Sequence, residues 1–216
     1  MPINRVQLND IGAEFDRQSD NLIEKGYPKI AGLTEAAFSD RVLQLKAKLD
    51  VSAILKHSRS SGKISFCIVI SCSLVSIKDA LSLVKREGKS GFVSMYPVEP
   101  DQFQAIESIT IPKEEIYLLI DFDRGSDTLN VAPQEALKTL MSLGRSPLTI
   151  EEGVAILTHY PECLVKNNCF SLLGSRCGDR RVPALWISEK CPKLGWCWDG
   201  NPHTWLGSAS CSKRIG

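Results

Sequence analysis

Over the first 50 residues the apolar positions recur at helical spacing. Leu8, Ile11, Phe15 and Leu22 share one face of a first helix, and Gly26 supplies the left-handed residue that ends it. "GLTEAAF" opens a second helix. Thr34 can accept a first-turn backbone N–H, Glu35 suits the positive helix end, and Phe38, Val42, Leu45 and Leu49 follow as a stripe. The pattern predicts two antiparallel helices joined by "GYPKIAG", with both stripes turned to the core. The polar loop "HSRSSGK", residues 57–63, separates a helical pair over 1–56 from a body over 60–216, the two forming one compact unit.

Beyond that loop the texture changes. "ISFCIVIS" is a continuous apolar, β-branched run and predicts a central strand covered on both faces. "SIKDALSLVKREG" has helical spacing at Ile77, Leu81 and Val84, with Gly88 closing it, and "GFVSMYPV" reads as a short strand. Strand, helix and strand in succession predict a βαβ crossover. "YLLIDFD", residues 117–123, is the next strand. Two helices follow. "NVAPQEALKTLMSLG" has Pro133 in its first turn and Gly144 at its end. "SPLTIEEGVAILTHYP" has a capping box of Thr149 and Glu152, and Pro161 breaks it. "VPALWIS", "LGWCWDG" and "GSASCSKRI" are short β pieces separated by turn-rich "EKCPK" and "NPHT". The fold class is α+β (or α/β): an N-terminal helical pair, a mixed β-sheet with covering helices, and a Trp-rich C-terminal β segment.

Composition narrows the function classes. A chain of 216 residues with 43% hydrophobic and 24% charged residues can bury a substantial core. A formal net charge of +1 gives no reason to expect nucleic acid or an acidic membrane surface as partner. The longest uncharged apolar run, "ISFCIVISCSLVSI", is shorter than the roughly 18 residues a membrane span needs. No secretory signal follows "MPINRVQLND", so the expected setting is cytoplasmic. The expected partner is a small-molecule ligand, with no cofactor; the sequence leaves the oligomeric state open. The 8 cysteines form no C-x-x-C pair, and their spacings match no zinc site, so free thiols are expected and no metal.

Several clusters carry candidate chemistry. Asp121 and Asp123 end a strand and, by alternation, share a face where they could hold a metal or act as base and orienter; the plainer reading is a turn bent at Gly125. The start of "SPLTIEEG" offers backbone N–H groups to an anion, but Glu151 and Glu152 oppose one there. "GSRCGDRR" places Arg176, Arg180 and Arg181 in a loop suited to carboxylate or phosphate. Those arginines should lower the pKa of Cys177. Of His57, His159 and His203, His203 is best placed to pair with it. His159, near a helix C-terminus, should be favoured as an imidazolium. In "GWCWDGNPHTWLG", Trp196 and Trp198 face one side of a strand, with Trp205 and Trp186 nearby. This predicts either aromatic core, Trp198 included, or the wall of a pocket, in both cases with Asp199, Asn201 and His203 on a polar rim.

The runs "RGSDTLN…GRSPLTIEEG" and "GSRCGDRRVPALWIS…PKLGWCWDGNPHTWLGSASC" together resemble an uncharacterised bacterial family known only as a domain of unknown function. The resemblance extends from about residue 60 to the end and echoes weakly in the N-terminal helices. It implies a soluble bacterial protein and assigns no chemistry.

Three functions fit this reading. The first is a module binding a small polar or anionic ligand between the arginine loop (Arg176, Arg180, Arg181) and the tryptophan loop (Trp198, Asp199, Asn201, His203). The second is a hydrolase or transferase using Asp123, Cys177 or His203. The third is an interaction module that docks a partner through the N-terminal helices. The absence of G-x-S-x-G, P-loop, H-E-x-x-H and dinucleotide fingerprints weighs against the second.

Overall fold

The computed structural model describes residues 5–49 and 62–216, with side chains from Ile11 onward. The side chain of Leu8, His57, and the predicted loop as far as Ser61 lie outside the described residues.

The helices are α1 (Arg5–Glu24), α2 (Tyr27–Ile30), α3 (Glu35–Lys46), α4 (Ile77–Leu83), α5 (Pro133–Ser142) and α6 (Ile150–His159). The strands run β1 (Lys63–Ile70), β2 (Lys85–Arg86), β3 (Lys89–Ser90), β4 (Phe92–Val93), β5 (Gln104–Ala105), β6 (Ile116–Asp123) and β7 (Ser146–Pro147). They continue with β8 (Cys169–Ser171), β9 (Ser175–Arg176), β10 (Arg181–Ser188), β11 (Cys191–Trp198), β12 (Leu206–Ser208), β13 (Ser210–Cys211) and β14 (Lys213–Ile215). This is a mixed α+β architecture that retains the N-terminal helices.

Those helices form as their stripes dictate. Ile11, Phe15 and Leu22 of α1 and Phe38, Val42 and Leu45 of α3 are buried in the same cluster as the strands. Gly26 is left-handed, with φ 82°, and Thr34 accepts the Ala37 N–H at 3.2 Å. The stripes therefore face this chain's own core.

Two five-stranded sheets carry the body, one ordered β1–β6–β13–β7 with β14 also on β6, the other β12–β8–β10–β11–β4. The second is built on the β10–β11 hairpin, in register from Arg181↔Trp198 to Ser188↔Cys191. Its two turn residues, Glu189 and Lys190, both have positive φ, as a type I′ turn requires to match the strand twist. The C-terminal strands join the sheets: β12 lies on β8, while β13 and β14 lie on β6. At that crossing the chain passes Gly125 and Gly207 so closely that a Cβ on either would collide with backbone. Helix α6 packs against β1, α4 and β10, and nearly all of it is buried.

Two strand expectations are corrected. The βαβ crossover does not form: β1 pairs antiparallel with β6, and Phe92–Val93 lies parallel to β11 in the other sheet. The apolar run at 92–95 is too short to specify a sheet, and only long-range pairing decides it. The strand β1 is buried but sits at a sheet edge. Side chains meet the outer backbone groups at its middle. Gln18 Oε1 accepts the Ile68 N–H at 2.8 Å, Gln18 Nε2 donates to Phe66 O at 3.1 Å, and His159 Nε2 donates to Ile68 O at 3.1 Å. These groups stand where a neighbouring strand would be, which is why the run reads as central.

His159 is likewise corrected. Burial, and then the Arg17 charge, push its pKa to about 3, so the ring is neutral. Asn21 Nδ2 donates to its Nδ1 at 3.1 Å, which leaves the proton on Nε2. Desolvation outweighs the attraction of the helix end.

Candidate functional site

A cleft of about 490 Å³ opens above the first turn of α6. Its floor is Thr149, Ile150 and Glu151; Ser71 and Cys72, leaving β1, form one side, with the start of α4 beside them. The segment from Glu99 to Ala105, with Ile111 and Ser175, forms the other.

Local sequence builds this shape from turns. Ser76 caps α4 by accepting the Asp79 N–H at 3.1 Å, and Pro100 sits in the first turn of a short 3-10 helix after Glu99. Thr149 and Glu152 form the expected capping box: Thr149 Oγ1 accepts from Glu152 N at 3.4 Å, and Glu152 Oε2 accepts from Thr149 N at 2.8 Å. Ile150 N donates to Ser175 Oγ at 3.1 Å, which fixes the far wall to the helix start. Apolar surface comes from Ile77, Phe103, Ile111 and Ile150.

Glu151 is an ionisable group of the cleft held by two donors. The Tyr117 hydroxyl donates to one carboxylate oxygen at 2.9 Å, and the Cys72 N–H donates to the other at 2.9 Å. Cys72 itself is a poor nucleophile: burial, then the Glu151 charge, push its thiol up to about 11. The sequence pointed to this helix start and to the opposing glutamates, but it did not join them to "SCS" at the exit of β1. An apolar strand ending in small polar residues was the available signal.

The residues singled out from sequence lie elsewhere. Asp123 makes a turn: Oδ1 accepts the Gly125 N–H at 2.8 Å and Oδ2 pairs with Lys63 at 3.1 Å. Asp121 does not share its role. It has a left-handed φ of 57°, and Arg145 clamps it through both its carboxylate, at 2.7 Å, and its carbonyl, at 2.6 Å. The turn reading therefore describes Asp123, while strand alternation fails at Asp121.

Cys177 donates to Asp179 at 3.3 Å, and its pKa is raised, first by burial and then by that aspartate. Its expected activation by the arginines is corrected, because Asp179 is the nearer charge and itself pairs with Arg181. Arg176 braces its own loop, donating to Leu173 O and Ser175 O, both at 2.8 Å. Arg180 pairs with Asp199 at 2.8 Å.

The tryptophans divide into two groups. Trp196 and Trp198 share a face, with ring centroids 5.0 Å apart, and the Arg181 guanidinium lies 4.7 and 5.2 Å from their centroids. Trp186 packs edge-on against Trp205 at 6.0 Å, and His203 lies 5.3 Å from Trp205. Trp198 is 42% exposed, so it is not the core residue expected. Asn201 is exposed, and the Asp199 carbonyl accepts the Gln134 N–H at 2.9 Å. Among the described residues no group of His, Cys, Asp and Glu is arranged to hold a metal ion. No described helix is long and apolar enough to cross a membrane.

Residues 21–216 match the model of a family of unknown function, DUF5701, and the chain belongs to that family. No curated protein and no solved structure matches it.

Proposed function

We propose that this DUF5701 protein binds a small molecule in the cleft above α6. The observation that carries the reading is the cleft itself. Its volume of about 490 Å³ lies in the range of roughly 300–1,000 Å³ of ligand pockets. Its apolar wall faces a carboxylate held in one orientation by two donors. An enzymatic role is less favoured, because the thiol there is protonated at neutral pH and no histidine lines the cleft among the described residues. The eight free cysteines and the bacterial resemblance support a bacterial, cytoplasmic setting for this binding.

A second reading keeps a polar or anionic ligand at the Arg181–Trp196–Trp198 face. The exposure of Trp198 beside a stacked guanidinium favours it. It ranks second because Arg180 and Arg181 already pair with Asp199 and Asp179. A fragment soak of crystals of the full chain separates the two. Fragments in the cleft support the first reading; fragments only beside Trp198 refute it in favour of the second.

A further inference from the structure

We propose that the cleft selects a cation: an ammonium or guanidinium head on an apolar body, with the head at Glu151. The inference rests on the cleft's being the binding site.

Glu151 is partly buried, and its carboxylate is met by neutral donors: the Tyr117 hydroxyl, the Cys72 N–H and the Cys72 thiol. Among the described residues no Lys, Arg or His side chain pairs with it. Its neighbour Glu152 is different, since Arg214 neutralises it inside the protein. Of the carboxylates that line the cleft, Glu99 pairs with Lys78 and Asp101 is exposed, so Glu151 is the one held in a fixed orientation without a counter-ion. An added N–H⁺ donor would form charge-assisted hydrogen bonds there, which are shorter and stronger than those Glu151 now accepts.

Most of the features that would favour an anion are already used. The start of α6 would normally attract one, but the N–H groups of Thr149, Ile150 and Glu152 donate to Glu152, Ser175 and Thr149. Glu151 stands at that same helix end and repels negative charge. The cation lining the cleft, Lys78, pairs with Glu99 at 2.9 Å. Phe103, Ile111 and Ile150 then provide the surface for an apolar body of several carbons.

The test uses three probes with one body and different heads: 4-phenylbutylamine, 4-phenylbutanol and 4-phenylbutyrate. Binding to the full chain is followed by two-dimensional NMR, with Glu151→Gln, Glu151→Ala and the cleft-filling Ala105→Trp as variants. The amine should bind about tenfold or more tightly than the alcohol, with the acid weakest. Both Glu151 variants should bring amine and alcohol within about twofold. Ala105→Trp should abolish binding of all three. If the acid or the alcohol matches the amine, or if the amine's advantage survives both Glu151 variants, cation selection is refuted while the cleft reading stands. If no probe binds, or if Ala105→Trp retains all three, both readings fall.

Discussion

Arg214 meets Glu152 in a bidentate ion pair sealed from solvent. Nη2 donates to Oε2 at 2.8 Å, Nε meets Oε1, and the two side chains are 4% and 0% exposed. The same guanidinium donates to Ser146 Oγ at 2.6 Å and Pro147 O at 2.9 Å, and the same carboxylate caps α6. One pair thus ties β14, β7 and the floor of the cleft together.

Removing one partner leaves the other charge buried. Arg214→Ala and Glu152→Gln should each cost roughly 3–5 kcal/mol, whereas Glu152→Leu/Arg214→Met should cost much less than the sum of its single changes. Urea denaturation of the four forms of that double-mutant cycle, beside the two single variants, measures this. A cost below about 1 kcal/mol for Arg214→Ala would show that the pair does not anchor the last strand.

Thr149 caps α6 while also lining the cleft. Its 3.4 Å bond is long, so Thr149→Ala should cost about 1 kcal/mol or less. Because the hydroxyl is turned to the Glu152 N–H, ligand binding should survive. Thermal melts paired with the amine titration check both points. Lost binding at an unchanged melting temperature would give the hydroxyl a direct contact with ligand.

The buried neutral His159 makes stability fall in acid. Its pKa is 6.5 when unperturbed and about 3 in the fold, where burial and Arg17 depress it. The unfolded chain therefore takes a proton near pH 6.5 that the folded chain refuses until near pH 3. Stability is complete above that upper value and declines below it by about 1.4 kcal/mol per pH unit. Glu14 acts in a lower window. Burial raises its pKa, but hydrogen bonds from Arg17 and Tyr160 prevail and hold it at about 2, against 4.5 ordinarily. Its contribution is lost as the pH falls from 4.5 towards 2. Urea midpoints at pH 7, 6 and 5 should fall for the wild type and stay nearly level for His159→Gln. A level wild-type series would contradict a neutral buried imidazole.

Local signals in the sequence were strong enough to identify most elements. The stripes at Phe15 and Phe38, the cap at Thr149, the stop at Pro161 and the turn at Gly125 all act within a few residues, where spacing and backbone preference decide. Strand partnership was not legible. Nothing near "ISFCIVIS" reveals that Gln18, far upstream, closes its edge, and nothing near Phe92 assigns it to the β11 sheet. The cleft was hidden for the same reason: Cys72, Ser175 and Glu151 meet only through tertiary packing. The arginine loop drew notice because its residues are close in sequence, yet its charges are largely met by Asp179 and Asp199, which stand in the same stretches.

The tryptophan-rich stretch offers a sharp contrast between two adjacent rings. Trp196 is partly buried, and its Nε1–H donates to Met95 O at 2.9 Å, which anchors the loop that runs on to the cleft. Trp198 stands 42% exposed at the strand end, in contact with Trp196 and Arg181. Trp196→Ala should therefore cost roughly 3–5 kcal/mol, and Trp198→Ala about 1 kcal/mol. His203→Ala should cost less than about 1 kcal/mol, because its buried Nε2 has no hydrogen-bond partner to lose. Melting temperatures of the three variants rank them. If Trp198→Ala proves the more damaging of the two tryptophan changes, the exposed ring is bearing structural load and the Arg181 face cannot be an open surface. If Trp198→Ala melts normally, that face can be probed for ligands in a folded variant, and any compound it releases will have been bound there rather than in the cleft.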